Sequence, residues 1–543
     1  MHPTMDRAAL VLAVVLAVGA VALTAAACRR ATDGQLVYAL DDAYIHLAMG
    51  RTLAESGVWG VNADTPGAAS SSPLWTLVLA GLVAALGDAA WLPLALNLLA
   101  AGLLAMAADA WLRQLDLPSG ARVGTIVAII IIGPLGPLAM TGMEHVAHAA
   151  AVLALTLLAL RERPAHPIAL ALMAAVATGL RYESAFVAGA LAVVLALRRD
   201  GGRALAVLAG SAALVVGVGA WQLSLGEGFL PNSLLVKAAG VTRETLVEWL
   251  KWKGYGAMEH AHEAPVVVLP LLAVLLACAA SLRRTEEAVE PPLSARLAME
   301  TAAALTLATL LHVVLSRTGW YHRYEAYLLM WGVVAAAGSL QAWRMRRLAA
   351  EQRVLAGATR APAIVAAVGA GLLVVMAFGL RINAWTTVTT ACRNIHEQHG
   401  QVARFVQQYE RIDRGPIIVH DIGLLSYRRP RGALIDMGGL ASHDIAVAKA
   451  HGWLDQDFAE RIARARGARL AISYDHAWLP DSWVRVASWR IHDNRVAGSD
   501  TVYFLATEPD EVAPLLAALR QFQPSLPGDI DVRYYVDSGR FAS

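Results

Sequence analysis

Two adjacent carboxylates, Asp41 and Asp42, open the stretch Asp41-Asp42-Ala43-Tyr44-Ile45-His46, which is followed by Arg51, Gly57, Asn62 and Ser70-Ser71-Ser72-Pro73-Leu74-Trp75. Mutual repulsion and partial burial raise the pKa of one such carboxylate toward the range where it works as a general base. Aspartates also belong at a helix N-terminus, where they meet the positive end of the dipole. Spacing alone leaves both roles open. Further ionisable groups lie where apolar runs end: Glu144-His145, Arg181-Tyr182-Glu183, Lys237 after Pro231-Asn232-Ser233, and His322-Arg323-Tyr324-Glu325. Charges at membrane depth are expensive and tend to mark substrate paths, although any single one can snorkel to the headgroups. Several on one side suit a phosphorylated lipid, with Arg and Lys clamping the phosphate and Asp deprotonating an acceptor hydroxyl. Trp75, Trp249, Trp252, Trp320 and Tyr321 offer either sugar stacking or interfacial anchoring.

The elements that must position these residues are set by composition. The chain has 543 residues, 57% hydrophobic and 16% charged, with a mean hydropathy of +0.50. That is too apolar for an ordinary soluble protein, so the bilayer is the main solvent. A span needs about 20 apolar residues. Runs of that order extend over Ala8 to Ala27, Trp91 to Leu112, Val123 to Met140, Leu205 to Leu225, Ala264 to Leu282, Ala298 to Leu315, Tyr324 to Trp343 and Ala361 to Leu380. Shorter runs cover His145 to Leu160, Pro167 to Leu180 and Ser184 to Leu197. The length of the first run and its single preceding Arg7 favour an uncleaved span over a signal peptide ending at Cys28. A net charge of +2, with arginines scattered over short loops, forms no basic face and excludes nucleic acid as a partner. Cys278 falls in an apolar run, leaving Cys28 and Cys392 as the one conceivable pair and making a disulfide framework unexpected.

Basic loops mark the cytoplasmic side: Arg113 with Arg122, Arg161 with Arg163, Arg198-Arg199 with Arg203, Arg283-Arg284 with Arg296, and the set from Arg344 to Arg360. The loops 29–72 and 226–263 and everything after Arg381 then lie outside. Pro73 to Leu86 cannot also span under that arrangement, so it is expected at the interface or re-entrant, leaving about eleven spans. After Arg381 the pattern changes. Strand-like runs (Pro416 to His420, Leu434 to Met437, Leu470 to Ser473, Val484 to Trp489, Thr501 to Ala506) alternate with helical ones (Gly400 to Ile412, Asp455 to Arg466, Glu508 to Gln521). The expected architecture is mainly α: a polytopic transmembrane helical bundle over 1–382 and a soluble α/β domain over 383–543. No Gly-rich phosphate loop occurs in the tail, and its His420-Asp421 and His443-Asp444 pairs read as loop residues.

The order of these motifs resembles the GT-C class of polyprenyl-phosphate-dependent glycosyltransferases, most closely the mycobacterial terminal arabinofuranosyltransferase type. The residues that carry the resemblance are Asp41-Asp42-Ala43-Tyr44-Ile45 with Arg51, Gly57 and Asn62, then Ser72-Pro73-Leu74-Trp75, Gly142-Met143-Glu144 and Leu180-Arg181-Tyr182-Glu183. Pro231-Asn232-Ser233 with Lys237, Arg323-Tyr324, Asp421-Ile422-Gly423 with Tyr427, and Ile435-Asp436-Met437-Gly438-Gly439-Leu440 complete the series. The resemblance implies a GT-C-like bundle in a cell inner (plasma) membrane and sugar transfer to a cell-envelope glycan, lipid or protein on the extracytoplasmic face. It implies Asp41 or Asp42 as catalytic base. Tyr44, Arg51, Trp75, Glu144, Arg181, Glu183, Asn232, Lys237, His322, Arg323 and Tyr324 are the expected donor or substrate contacts.

Two departures from the family pattern stand out: Tyr182 replaces a proline, and His322-Arg323-Tyr324-Glu325 replaces a more apolar stretch. The second lies near the expected pocket and leaves the sugar open. The chemistry expected is a single inverting displacement, with the lipid phosphate leaving against Lys237, Arg181 or Arg323. Neutralisation by cations makes a metal unnecessary, although Asp41, Asp42 and Glu144 could hold a divalent ion. A transporter or flippase of lipid-linked sugar would also need a cation-lined cavity, but no internal repeat of the transporter kind is present.

Overall fold

In the computed structural model the described residues are 3–163, 165–238, 292–317, 319–352, 381–409, 415–428 and 433–536, with 271, 272, 274 and 275. The run Val123 to Met140 breaks at Gly133-Pro134 into two helices, because proline cannot continue the helix, and most of the other described apolar runs become single helices. In chain order these are α1 (Pro3–Arg30), α2 (Asp42–Ser56), α3 (Pro73–Leu86), α4 (Leu92–Gln114), α5 (Ser119–Ile132), α6 (Leu135–Ala139), α7 (His145–Leu160), α8 (Pro167–Leu180), α9 (Ser184–Leu197), α10 (Gly201–Ser224) and α11 (Asn232–Ala238). Long helices Leu293–Leu315 and Ala326–Gln352 follow. Among the described residues five helices are long and apolar enough to cross a membrane, and five shorter apolar ones accompany them. The runs 264–282, apart from four residues, and 361–380 lie outside the described residues. Outward-facing leucines such as Leu23 (75% exposed) and Leu197 (80%) show that the bundle expects lipid as solvent.

Helix α3 packs along α2 and also touches α8 and α4. Its first turn meets α2 where Thr76 approaches His46 at 2.9 Å, and beyond its last turn Asp88 lies 3.5 Å from Arg51. Close approach is possible because Gly50 carries no Cβ: one placed there would sit 3.1 Å from Leu79 and Ala80.

One end of the bundle collects arginines, and many of them are neutralised there. Arg122 pairs with Asp6 at 2.6 Å and Asp109 at 2.8 Å, Arg113 with Asp109 at 2.7 Å, Arg203 with Asp200, and Arg198 with Glu300. Gln341 reaches the Asp116 carbonyl at 2.9 Å. These contacts join the 113–122 loop to the N-terminus and to Gln341, and the 198–203 loop to Glu300, with several charges locked in ion pairs. Cys28 and Cys392 are both buried as free thiols, whereas Cys278 lies outside the described residues.

At the other end sits a six-stranded sheet, order β2-β1-β3-β5-β4-β6. Its strands are β1 (Ile417–Val419), β2 (Leu434–Asp436), β3 (Leu470–Ser473), β4 (Val484–Arg490), β5 (Thr501–Ala506) and β6 (Asp531–Tyr534). The first three pair in parallel and the remainder antiparallel. All five strand-like runs of the tail form strands, and the three helical runs form Gln401–Tyr409, Gln456–Arg466 and Val512–Phe522. Strand β6 and helices Gly423–Arg428 and His443–Ala450 were not expected from pattern. His443-Asp444 is thus the first turn of a helix and not a loop, with Asp444 at its favourable end.

The sheet is fastened to the bundle chiefly by the first outer loop. Asp41 accepts hydrogen bonds from the backbone N–H of Gly423 (2.6 Å) and Leu424 (2.8 Å) at the start of helix Gly423–Arg428. Arg51 donates to the carbonyls of Ser426 (3.0 Å) and Tyr427 at its end. One helix is thus clipped at both termini by α2, with charges that match its dipole. The Asn62 side-chain amide exchanges hydrogen bonds with both backbone groups of Leu434 on edge strand β2 (3.2 and 3.1 Å), acting as one residue of a further strand. Gly423 is required because a Cβ there would lie 2.0 Å from the Asp41 carbonyl oxygen. Gly423→Ala is therefore expected to cost about 1–3 kcal/mol and to release the C-terminal domain to limited proteolysis; an unchanged melting midpoint and digestion pattern would show that the clip does not hold the domains together.

Candidate active site

The N-terminus of α2 divides the carboxylate pair. Asp41 faces the sheet domain, while Asp42 turns inward and its Oδ2 accepts from Arg323 Nη1 at 3.0 Å. One turn further, His46 points from α2 at Ser70 Oγ (3.2 Å) and Thr76 Oγ1 (2.9 Å), with Nε2 3.9 Å from Glu144. Burial holds the His46 pKa below its ordinary value.

Glu144 is fully buried at the N-terminus of α7. Gly142, at φ +68°, turns the chain from α6 into α7, and a Cβ there would lie 2.7 Å from Ala43 and Tyr38. Glu144 Oε1 accepts from Arg181 Nη1 at 2.8 Å, whereas its Oε2 has no hydrogen-bond partner among the described residues. Arg181, between α8 and α9, also grips Glu183 through two bonds of 3.1 and 2.6 Å. Its charge is thus shared by two carboxylates, as a buried guanidinium requires.

Arg323 is less fully engaged. Besides Asp42 it contacts Met143 Sδ (3.0 Å) and Tyr324 OH (3.2 Å), and its Nε has no hydrogen-bond partner among the described residues. Both guanidinia lie near the Tyr324 ring, at 5.4 Å for Arg181 and 5.0 Å for Arg323. Arg323 is delivered by a left-handed turn in which Gly319, Trp320, Tyr321 and His322 have φ of 79°, 40°, 60° and 59°. Non-glycine residues adopt that conformation at about 1–2 kcal/mol each. Glu325 anchors the turn: it accepts from Gly319 N at 3.0 Å and pairs with the fully buried Arg381 at 2.8 Å.

Asp42, Glu144, Arg181, Glu183, Arg323 and Tyr324 therefore converge, with His322 beside them in the strained turn. Arg51 and Asp41 form the clip. Asn232 bonds Ala68 O through its backbone (2.9 Å) and Leu440 O (3.2 Å) and His443 (2.8 Å) through its side chain. Tyr44 OH accepts from Tyr38 N at 3.0 Å, and Trp75 is buried in α3. Lys237 lies on α11, with its side chain outside the described residues. Among the described residues no three His, Cys, Asp or Glu side chains are grouped to hold a metal. Asp41 bonds Gly423, Leu424 and His399, away from Asp42 and Glu144.

A second polar group, missed from sequence, adjoins Asp41. His399 lies 3.1 Å from Asp41 through Nδ1 and 3.7 Å from Asp421 through Nε2. Asp421 also pairs with His420 (3.2 Å) and Tyr474. Burial opposes a charge on His399, but the carboxylates of Asp41 and Asp421 outweigh it and push the pKa up to about 9. Burial likewise opposes the Asp421 charge, and the two histidines overcome it and hold its pKa below the carboxylate range. The only sequence sign was the unusually polar run His396-Glu397-Gln398-His399, which forms a single wide turn before Gln401–Tyr409.

The His399 shift fixes a pH dependence. A raised pKa stabilises the folded state fully below the ordinary value of 6.5, and that contribution disappears as pH rises through about 9. The melting midpoint of the purified protein should fall between about pH 7 and pH 9.5, and His399→Gln should remove most of that slope; an equally steep slope in the variant would refute the assignment.

Residues 393–505 match the model of a domain of unknown function (DUF8728). Comparison with curated proteins finds no match. Two crystal structures of ArnT from Cupriavidus metallidurans align with the chain, one bound to undecaprenyl phosphate (16% identity, TM-score 0.48) and one in the apo state (14% identity, TM-score 0.49). Each alignment covers 90% of this chain and 97% of that one.

Proposed function

We propose that the protein is a membrane glycosyltransferase that moves a sugar from a polyprenyl-phosphate donor to a cell-envelope acceptor on the extracytoplasmic face. The observation that carries this reading is the Asp42–Arg323 pair: a carboxylate 34% exposed, held at 3.0 Å by a buried guanidinium. Glu144 and Glu325 beside it are wholly buried, and Glu183 is only 12% exposed. Asp42 is thus the carboxylate an acceptor hydroxyl can reach, whereas the oxygens of Asp41 are committed to Gly423, Leu424 and His399. The motif order that resembles GT-C enzymes of the arabinofuranosyltransferase type supports the same class. The paired arginines at the far end of the bundle fit a cytoplasmic side.

In the proposed step Asp42 takes the proton of the acceptor hydroxyl as its oxygen attacks the anomeric carbon. The bond from that carbon to the lipid-phosphate oxygen breaks with inversion, and the phosphate leaves with the electron pair. Protonation of Asp42 ends its hold on Arg323, so the guanidinium becomes available to the phosphate as its charge develops. Arg181, flanked by Glu144 and Glu183, shapes the pocket and positions Tyr324 more than it neutralises the phosphate.

Transfer from a panel of radiolabelled polyprenyl-phosphate sugars to isolated envelope acceptors tests this. Asp42→Asn and Arg323→Gln should each lower kcat by about 10² or more. Asp41→Asn should act mainly on the melting midpoint. Loss of transfer in Asp41→Asn with full activity in Asp42→Asn would reverse the assignment, and movement of labelled lipid across a bilayer without donor cleavage would favour a flippase.

A further inference from the structure

The wide turn His396–Gly400 connects the helix over 381–395 to Gln401–Tyr409 in the sheet domain. That first helix belongs to the bundle, because its Trp385 donates to the Ile131 carbonyl of α5 at 3.1 Å. The side chains of the turn reach in different directions. His396 lies 3.6 Å from Asp33, just beyond α1, and Glu397 lies 3.4 Å from Arg393 in the preceding helix. Gln398 meets the Ser499 carbonyl at 3.0 Å and Tyr474 OH at 3.1 Å. His399 turns back to the start of α2, where the reaction centre begins.

Both oxygens of Asp41 are held there. The backbone N–H of Gly423 meets Oδ2 at 2.6 Å, while Leu424 N–H and His399 Nδ1 share Oδ1 at 2.8 and 3.1 Å. The imidazole is buried, with Asp41 at one nitrogen and Asp421 3.7 Å from the other. Two carboxylates so placed repel each other unless a cation lies between them, and His399 supplies it. The ionisable groups that face His399 are Asp41 and Asp42 from α2 and Asp421 after β1, with His420 and Tyr474 behind Asp421.

Asp41 immediately precedes α2 and Asp42 begins it. A shift at Asp41 is therefore passed to the Asp42 carboxylate, which accepts from Arg323 at 3.0 Å. A catalytic group displaced by about 1 Å can cost about 10²-fold in rate. When the imidazole is neutral, the backbone N–H groups of Gly423 and Leu424 still hold Asp41, so the sheet domain stays docked. The repulsion between Asp41 and Asp421 is then unbalanced. We infer that His399 is a positioning residue of the transferase, which keeps Asp42 aligned with Arg323 through Asp41 while the imidazole carries its proton. The inference rests on the transferase reading, with Asp42 as the base.

The test follows sugar transfer by the full-length protein in nanodiscs from pH 7 to pH 10, with the best donor of the polyprenyl-phosphate panel, at a temperature below the melting midpoint of every variant at every pH. Wild-type kcat should fall about fourfold between pH 7.5 and pH 9.5, as a group of pKa about 9 gives up its proton. Asp421→Asn removes one of the carboxylates that favour the charged ring, so its alkaline limb should move down by about 1 pH unit or more. His399→Gln should show the lowered kcat already at pH 7.5 and stay flat to pH 9.5, with the donor KM within about twofold of wild type. A limb at the wild-type pH in either variant, or full kcat in His399→Gln at pH 7.5, would overturn the inference and leave the transferase intact. Absence of transfer by wild type at every pH removes the transferase reading and the inference with it.

Discussion

The structure depends on one clip. Helix α2 presents Asp41 at its start and Arg51 ten positions later, about 15 Å along the axis, and these two charges hold both ends of the six-residue helix Gly423–Arg428. Acid meets the N-terminus and base the C-terminus, so electrostatics fixes polarity as well as contact. Asp42 and His46 share the same short helix. The segment that fastens the sheet domain is therefore also the segment that aims Asp42 at Arg323, and displacement of that domain would be felt at this pair within one residue.

Around that clip the charges divide into two kinds. Arg181 with Glu144 and Glu183, and Arg381 with Glu325, are buried ion-paired sets, although Arg381 Nε and Nη1 and Glu144 Oε2 have no hydrogen-bond partner among the described residues. Removing one partner from such a set leaves an uncompensated buried charge, which is strongly destabilising. Asp42 and Arg323 differ in exposure: the Asp42 side chain is partly open to solvent while its guanidinium partner is buried. A pair of this kind can exchange partners during a reaction. The left-handed turn from Gly319 to His322 holds Arg323 at a conformational cost, which the surrounding contacts of Glu325 must offset.

The sequence made the helices and strands legible because each has a period or a length that physics ties to its environment. The runs 145–160, 167–180 and 184–197 are apolar throughout and appear as α7, α8 and α9 with those bounds. Strand β6 escaped notice because Asp531-Val532-Arg533-Tyr534 is a short polar edge with little to bury. The inner cluster was also visible, since ionisable residues at the ends of apolar runs must converge or be costly. The division of labour within the motifs was not. Asp41, Arg51, Asn62 and Asn232 look like site residues by type, but their partners in the sheet domain lie more than 200 positions away in the chain. His399 was hidden for the same reason: only the folded chain sets it between Asp41 and Asp421.

The central claim is that Asp42 and Arg323 form the reaction centre and that Asp41 belongs to the joint. A cryo-EM structure of the full chain in nanodiscs with undecaprenyl phosphate tests it most directly. The account predicts phosphate oxygens within about 3 Å of the Arg323 guanidinium, with the Asp41 contacts to Gly423 and Leu424 intact. A phosphate seated away from Arg323, or an Asp41 freed from the clip and turned toward it, would contradict the account.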